Sequence, residues 1–440
     1  MLDINYIRKN VDIVKKAVHD KGAMADVDKV LQLDDERRAG LSRAESLRSE
    51  RNDISSKVKS GDRSKELITR GKEIKLELSK VEEAVKAVDD DYIRELKLIP
   101  NVPYADVPIG MTEDDNVVAE VVGEIPKFDF EPKNHWEIGQ IRNWIDKERA
   151  TKVAGARFAY IEGEMVRLQM AIVNFVMDSL GDEKVIAEVV EKFVKPILPK
   201  DMAAPSTKPL RPILPPLMIK TEMYDAMDRL EPREDRYKIE GDELWLQGSA
   251  EHVLGSMYAD EIIEEKDMPI RMLGYASSFR QEAGTYGKDM EGIIRMHQFD
   301  KLEMEGLTTA ETSFAEHLLF IGIQRWLVEA LGLPYRVLQK CTIDIGKPNA
   351  RGIDIEVYLP GQGKYRETHT ADYMTDYQAR RLKTRVRREN GDVELIHTND
   401  ATAFALGRAM VAIIENYQTE DAKVRVPEVL KKYLGGAEEI

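Results

Sequence analysis

"FRQEAGTYGKDMEGIIRMHQFDKLE" (residues 279–303) follows "MPIRMLGYASS" (268–278), and its reading decides the fold. The leading segment has the texture of a half-buried strand. On such a strand Arg280 and Glu282 share a face, because side chains alternate. Gly284, Gly287 and Gly292 punctuate the connection, and glycine lets a loop run close to a ligand. On the returning run Arg295, His297, Phe299, Lys301 and Glu303 fall on one face, with Ile294, Met296, Gln298 and Leu302 on the other. A hairpin face bearing Arg, Glu, Phe and Glu offers an oxyanion clamp, an acceptor for a base edge, a stacking platform and an acceptor for an ammonium. Those are the parts of a pocket for a nucleotide plus an amine. A charged solvent face with an incidental aromatic is the plainer alternative.

Composition bounds what surrounds this hairpin. The 440 residues leave room for two or three domains, at roughly 150 residues each. Hydrophobic residues, at 42%, supply a large core, and 33% charged residues point to a long solvated helical element. One cysteine, Cys341, excludes a disulfide framework and a multi-cysteine metal site. The histidines are scattered without metal-ligand spacing, so no structural zinc is expected. A reducing cytoplasm is the natural compartment. The start, "MLDINYIRKN", has no apolar signal core, and no apolar run reaches the length of a membrane span. The net charge of −15 argues against a histone-like DNA binder while leaving room for a local basic surface.

Residues 27–60 lack proline and place Val30, Leu33, Ala44, Leu47, Ile54 and Val58 on one helical stripe, with Arg37, Gly40 and Arg51 weakening the seam. After "SGDRS" (60–64) a cleaner stripe follows: Ile74, Leu78, Val81, Val85, Val88 and Tyr92. Two such helices around a short polar turn predict an antiparallel hairpin over 27–99 that need not pack tightly along its whole length. The prolines of "LIPNVPYADVP" end it. The hairpin reads as a dimerisation or spacer coil, or as an arm whose basic tip (Lys57, Lys59, Arg63, Lys65) meets phosphates. From about residue 240, short alternating runs predict an antiparallel sheet with helices against it, an α+β fold. Neither a Rossmann glycine motif nor a P-loop is present.

The stretch "FRQEAG…IIRMHQFDKLE" resembles motif 2 of the class II aminoacyl-tRNA synthetases in its seryl-tRNA synthetase form. Further segments resemble that family in order: "MLDINYIRKNVDIVKKAV", "PNVPYADVPIG", "RFAYIEGEMVRLQMAIVNFVMD", "PILPPLMI" (motif 1, with Pro216), "SAEHVL", "DIEVYLPGQGKYRE", "DYQARRLKTRVR" and "FALGRAMVAIIENYQ" (motif 3). The resemblance covers nearly the whole chain. It implies a tRNA-binding domain over 1–110 with its coiled-coil arm, and a catalytic domain over 111–440 built on an antiparallel sheet. It implies activation of L-serine with ATP, assisted by Mg2+, then transfer to the 3′ end of tRNA(Ser) and of tRNA(Sec), by a cytoplasmic homodimer with no membrane or DNA partner. A divergent tRNA-binding paralogue with altered amino-acid selection, or none, is the alternative.

By the same resemblance Arg280 grips the α-phosphate and the amino-acid carboxylate. Glu282 accepts from the adenine amino group, and Phe299 and Arg408 sandwich the adenine. Arg295 holds the terminal phosphates. Glu367 and Thr370 hold Mg2+, while Ser249, Glu251, Arg280, Glu303 and Thr402 line the serine subsite. Guanidinium is a bidentate oxyanion clamp, and carboxylate plus hydroxyl suits a hard cation.

Departures cluster in three segments. Ser249 stands for the usual threonine of TAE. "ETHTADY" (367–373) stands for EISSCSN, with His369 and Tyr373. "DATA" (400–403) stands for NGSG, with Asp400 and Thr402. All are expected near the amino-acid pocket, His369 more as a packed histidine than a catalytic one. Residues 181–211 are longer than the family's usual approach to motif 1.

Overall fold

A computed structural model of the chain describes residues 1–62, 64–282 and 292–440. Arg63, Gly284 and Gly287 therefore lie outside the described residues. The chain divides into two compact units, Met1–Val102 and Pro103–Ile440. Tyr104 N donates to Ala350 O and Thr342 N to Pro108 O within the second unit.

In the first unit, short helices α1 (Ile4–Lys9) and α2 (Val11–Asp20) precede α3 (Val27–Lys59) and α4 (Lys65–Leu98). Asp26 and Ser64 cap the two long helices by accepting from Lys29 N and Leu67 N. Val30, Leu33, Ala44, Leu47, Ile74, Leu78 and Tyr92 of the two stripes are buried, Ile54, Val58, Val81, Val85 and Val88 are half-buried, and Ala44, Leu47, Ile74 and Leu78 pack as one cluster. The expected looseness is corrected at two positions. A Cβ on Gly40 would lie 2.5 Å from Val85 Cγ2, so the glycine marks a close approach of the helices and not a gap. Arg37 stays in the seam by pairing with Asp89 and lying 5.3 Å over the Tyr92 ring. Lys57, Lys59 and Lys65 are exposed at the tip.

The second unit is built on eight strands: β1 (Val117–Val122), β2 (Arg211–Ile213), β3 (Ile270–Phe279), β4 (Gln298–Thr308), β5 (Tyr335–Gln339), β6 (Arg351–Leu359), β7 (Lys364–Thr375) and β8 (His397–Ala405). Their order is β1-β5-β6-β7-β8-β4-β3-β2, antiparallel except for β2 beside β3. Helices α5 (His135–Ile141), α6 (Glu164–Leu180), α7 (Glu251–Gly255), α8 (Ser313–Ala330) and α9 (Leu406–Asn416) accompany the sheet. One sheet face carries Leu302, Met304, Ile353, Ile355, Ala371 and Ala401 into a core shared with α6, α8 and α9. The opposite face of the same strands is polar, and that alternation positions the site.

The long segment 181–211 has a packing role. Its helical part buries Ile186, Val189, Val190, Phe193 and Val194. A Cβ on Gly322 would sit 3.0 Å from both Phe193 and Val189, so the segment lies flush on the outer side of α8. Arg325 lies 5.0 Å over the Phe193 ring.

Candidate active site

The hairpin predicted from residues 268–303 forms, with Phe279 opposite Gln298 and Ser278 opposite Phe299. The returning strand begins at Gln298, later than alternation suggested, because Ile293 is buried and Ile294 packs against the same core. Arg280 N still donates to His297 O, and His297 Nδ1 faces Arg280 O at 3.0 Å, extending the pairing past the strand end.

Arg280 is aimed by its Nε–H, which donates to Gly248 O at 3.0 Å, and lies 5.5 Å over the Phe299 ring. Glu282 adopts φ +51 and its carboxylate pairs with Arg295. Arg408, near the start of α9, donates to Glu367 O at 2.7 Å and pairs with the Glu367 carboxylate at 3.1 Å. Arg280, Glu282, Arg295, Phe299, Glu367, Thr370, Thr402 and Arg408 line one cleft. Four of the expected ligand-contacting groups thus form two opposite-charge pairs, Glu282 with Arg295 and Glu367 with Arg408.

Deeper on the same face, β4 presents Lys301, Glu303 and Glu305. Lys301 pairs with Glu303, its Nζ donates to Ser249 Oγ at 3.0 Å, and Ser249 Oγ donates to Glu303 at 3.3 Å. Burial pushes the Glu303 carboxyl up to about 8, against the pull of Lys301. Glu251 opens α7, its carboxylate 3.2 Å from His252 Nε2, and burial drives the His252 imidazole down to about 4. Thr402 faces Glu303 across β8–β4, and Asp400 faces Glu305. Lys301 was missed by sequence reasoning, although it stands between Phe299 and Glu303 on the strand face already singled out. Gln324 of α8 was also missed: it donates to Thr370 O at 2.7 Å and Thr402 O at 2.9 Å, tying β7 to β8 behind the site. An internal helix glutamine carries no local signal of that role.

The two cleft-lining groups expected at Mg2+, the Glu367 carboxylate and the Thr370 hydroxyl, are hard oxygen donors of the kind such an ion shares with phosphate and water. Among the described residues, no group of three or more His, Cys, Asp or Glu side chains forms a metal cluster.

Comparison with known proteins agrees with this geometry. Residues 1–103 match the seryl-tRNA synthetase N-terminal domain, and residues 235–417 match the tRNA synthetase class II core domain (G, H, P, S and T). The serine–tRNA ligase of Syntrophotalea carbinolica is 37% identical, with 100% of each chain covered. The chain belongs to the seryl-tRNA synthetase family. The crystal structure of seryl-tRNA synthetase from Pyrococcus horikoshii complexed with ATP has a TM-score of 0.88 at 36% identity, covering 100% of this chain and 99% of that one. The cytoplasmic serine–tRNA ligase from Naegleria fowleri in complex with AMP has a TM-score of 0.83 at 28% identity, covering 100% and 98%.

Within the family frame, the departures separate by sheet face. His369 and Tyr373 were expected near the amino-acid pocket, and this is corrected: they point to the helix-covered side. His369 lies 4.8 Å from the Phe404 ring with Thr368 Oγ1 2.7 Å from its Nδ1, and burial drives it down to about 3. Tyr373 packs among Tyr104, Phe314 and His317, its hydroxyl 2.9 Å from Ser313 Oγ. Ser249, Asp400 and Thr402 are the named departures that face the site. Burial pushes Asp400 up to about 7 despite Arg229.

Proposed function

We propose that this chain is a serine–tRNA ligase that makes seryl-adenylate from L-serine and ATP, releasing pyrophosphate, and passes serine to the 3′ end of tRNA(Ser) and tRNA(Sec). The observation that carries this reading is the convergence of Arg280, Phe299, Glu367, Arg408 and Thr402 on one cleft, with Ser249 and Glu303 on the same sheet face. Full-length similarity to serine–tRNA ligases supports it.

The chemistry follows from these groups. The serine carboxylate attacks the α-phosphorus while Arg280 neutralises charge on its oxygens. Phe299 and Arg408 stack on the adenine, Glu282 accepts from its amino group, and Arg295 takes the terminal phosphates once freed from Glu282. Glu251 and Glu303 receive the serine ammonium, with Ser249 and Thr402 as hydroxyl partners. Fixed charges and orientation supply the acceleration. Glu367 and Thr370 would hold Mg2+, which adds positive charge beside the phosphates. The tRNA ribose hydroxyl then attacks the adenylate, so no protein nucleophile is needed.

In this reading residues 1–110 bind tRNA, with Lys57, Lys59, Arg63 and Lys65 on its backbone, and residues 111–440 catalyse. Leu214, 79% exposed, and Met218, 47% exposed, flank Pro216 and suit burial against a second copy, in line with a homodimer. No helix among the described residues is long and apolar enough to cross a membrane; a cytoplasmic site fits the substrates. The buried Asp400 favours a second reading, altered amino-acid selection on the same scaffold.

Amino-acid-dependent ATP–pyrophosphate exchange over all twenty amino acids tests the proposal. Exchange with serine alone is expected. Exchange with another amino acid alone supports the second reading, and no exchange with any overturns both.

A further inference from the structure

His135 opens α5 and is 3% exposed. Its backbone N–H donates to Glu415 at 3.1 Å and its Nδ1 lies 2.9 Å from the same carboxylate. A carboxylate there accepts from Nδ1–H and so keeps the ring proton on Nδ1, which leaves Nε2 as an acceptor. Ile293 N–H donates to that Nε2 at 3.4 Å. The fit is tight: Gly292 has φ +69, and a Cβ added to it would lie 1.9 Å from Nε2. On its other side, the Ile293 carbonyl oxygen lies 3.2 Å from where a Cβ on Gly407 would stand. The Ile293 peptide is therefore gripped between His135 and the first turn of α9.

That turn carries Arg408, and the end of α9 carries Glu415. One helix thus sets Arg408 directly and sets Ile293 through Glu415 and His135. The far end is braced: Glu415 also accepts from Gly361 N at 3.0 Å, and Gln418 exchanges hydrogen bonds with the Lys133 backbone at 2.7 and 2.9 Å. Ile293, Phe299 and Arg408 line the same cleft.

We propose that His135 is a positioning residue for nucleotide binding: by accepting from Ile293 N–H while anchored on Glu415, it sets the Ile293 wall of the cleft at a fixed spacing from Arg408. The inference rests on the reading of this cleft as the ATP site.

Calorimetric titration of the full chain with ATP and Mg2+ tests it through two matched variants. In His135→Asn the amide can still donate to Glu415 but offers nothing at the Nε2 position. In His135→Gln the longer amide places an oxygen there. The expected result is an ATP Kd raised about tenfold in the Asn variant and within about threefold of the parent in the Gln variant. A purely structural role would weaken both alike, and equal Kd changes, or a parent-like Asn variant, overturn the proposal. If the Asn variant does not fold, Gly292→Ala, whose methyl collides with the imidazole, is read against the Gln variant in the same way. Serine-dependent exchange is measured in parallel. No serine-dependent exchange by the parent with the ATP pattern intact overturns the ligase reading alone; exchange by the parent with a flat ATP pattern overturns this inference alone. Absence of ATP binding by the parent overturns both.

Discussion

Arg229 stands 3.1 Å from the Asp400 carboxylate, and the same guanidinium lies 3.9 Å from Asp372. Asp372 and Asp400 face each other across β7–β8, and Asp400 faces Glu305 across β8–β4. Three buried carboxylates thus form one cross-strand row, and one guanidinium meets two of them. Removing a partner from a buried pair leaves an uncompensated charge, which costs about 3 kcal/mol or more. Arg229→Gln is expected to lower stability by about that amount in chemical denaturation and to raise the KM for serine about tenfold. Asp400→Asn in the Arg229→Gln background recovers at least half of the stability loss. A double-mutant cycle with no coupling would contradict the pairing.

Buried neutral histidines make this chain acid-sensitive. Burial pushes His252 from 6.5 down to about 4, and His369 from 6.5 down to about 3. Between these values and 6.5 the unfolded chain takes up protons that the folded chain refuses. Their contribution is therefore fully present above pH 6.5 and is lost as pH falls toward 4 and 3. Between pH 6 and 4, His369→Gln is expected to reduce the slope of unfolding free energy by up to about 1.4 kcal/mol per pH unit. Denaturant titrations at four pH values check this; an unchanged slope rejects it.

Arg280 is the cleft guanidinium aimed by the Gly248 carbonyl, and its planar fork is not replaced by another side-chain type. Arg280→Ala is expected to lower serine-dependent exchange by about 10³-fold while circular dichroism stays unchanged. Near-normal exchange refutes its assigned role.

Replacing Lys57, Lys59, Arg63 and Lys65 together by Ala is expected to raise the KM for tRNA about tenfold or more and to flatten its salt dependence. Pyrophosphate exchange should stay within about twofold of the parent, since that half-reaction involves no tRNA phosphate for the tip cations to meet. Loss of both activities would contradict the modular reading.

Much of this molecule was legible because its signals are local. Period-four-and-three spacing marks both arm helices, and strand alternation sets Phe299, Lys301 and Glu303 on one face from sequence alone. A strict period of two decides which face a side chain takes, so Arg280, Phe299 and Glu303 could be grouped from their numbers alone. Partners distant in sequence were not legible. Arg229 meets Asp400 across 171 residues, and His135 meets Glu415 across 280. The face taken by His369 and Tyr373 depended on the register of β7 against β6, where a bulge at Ile355/Glu356 shifts the pairing. The residue types and their local periods belong to the sequence. Which carboxylates are neutralised, and which of the altered positions touch the substrate pocket, was decided by tertiary packing, because burial and pairing of a charge depend on groups that only the folded chain brings together.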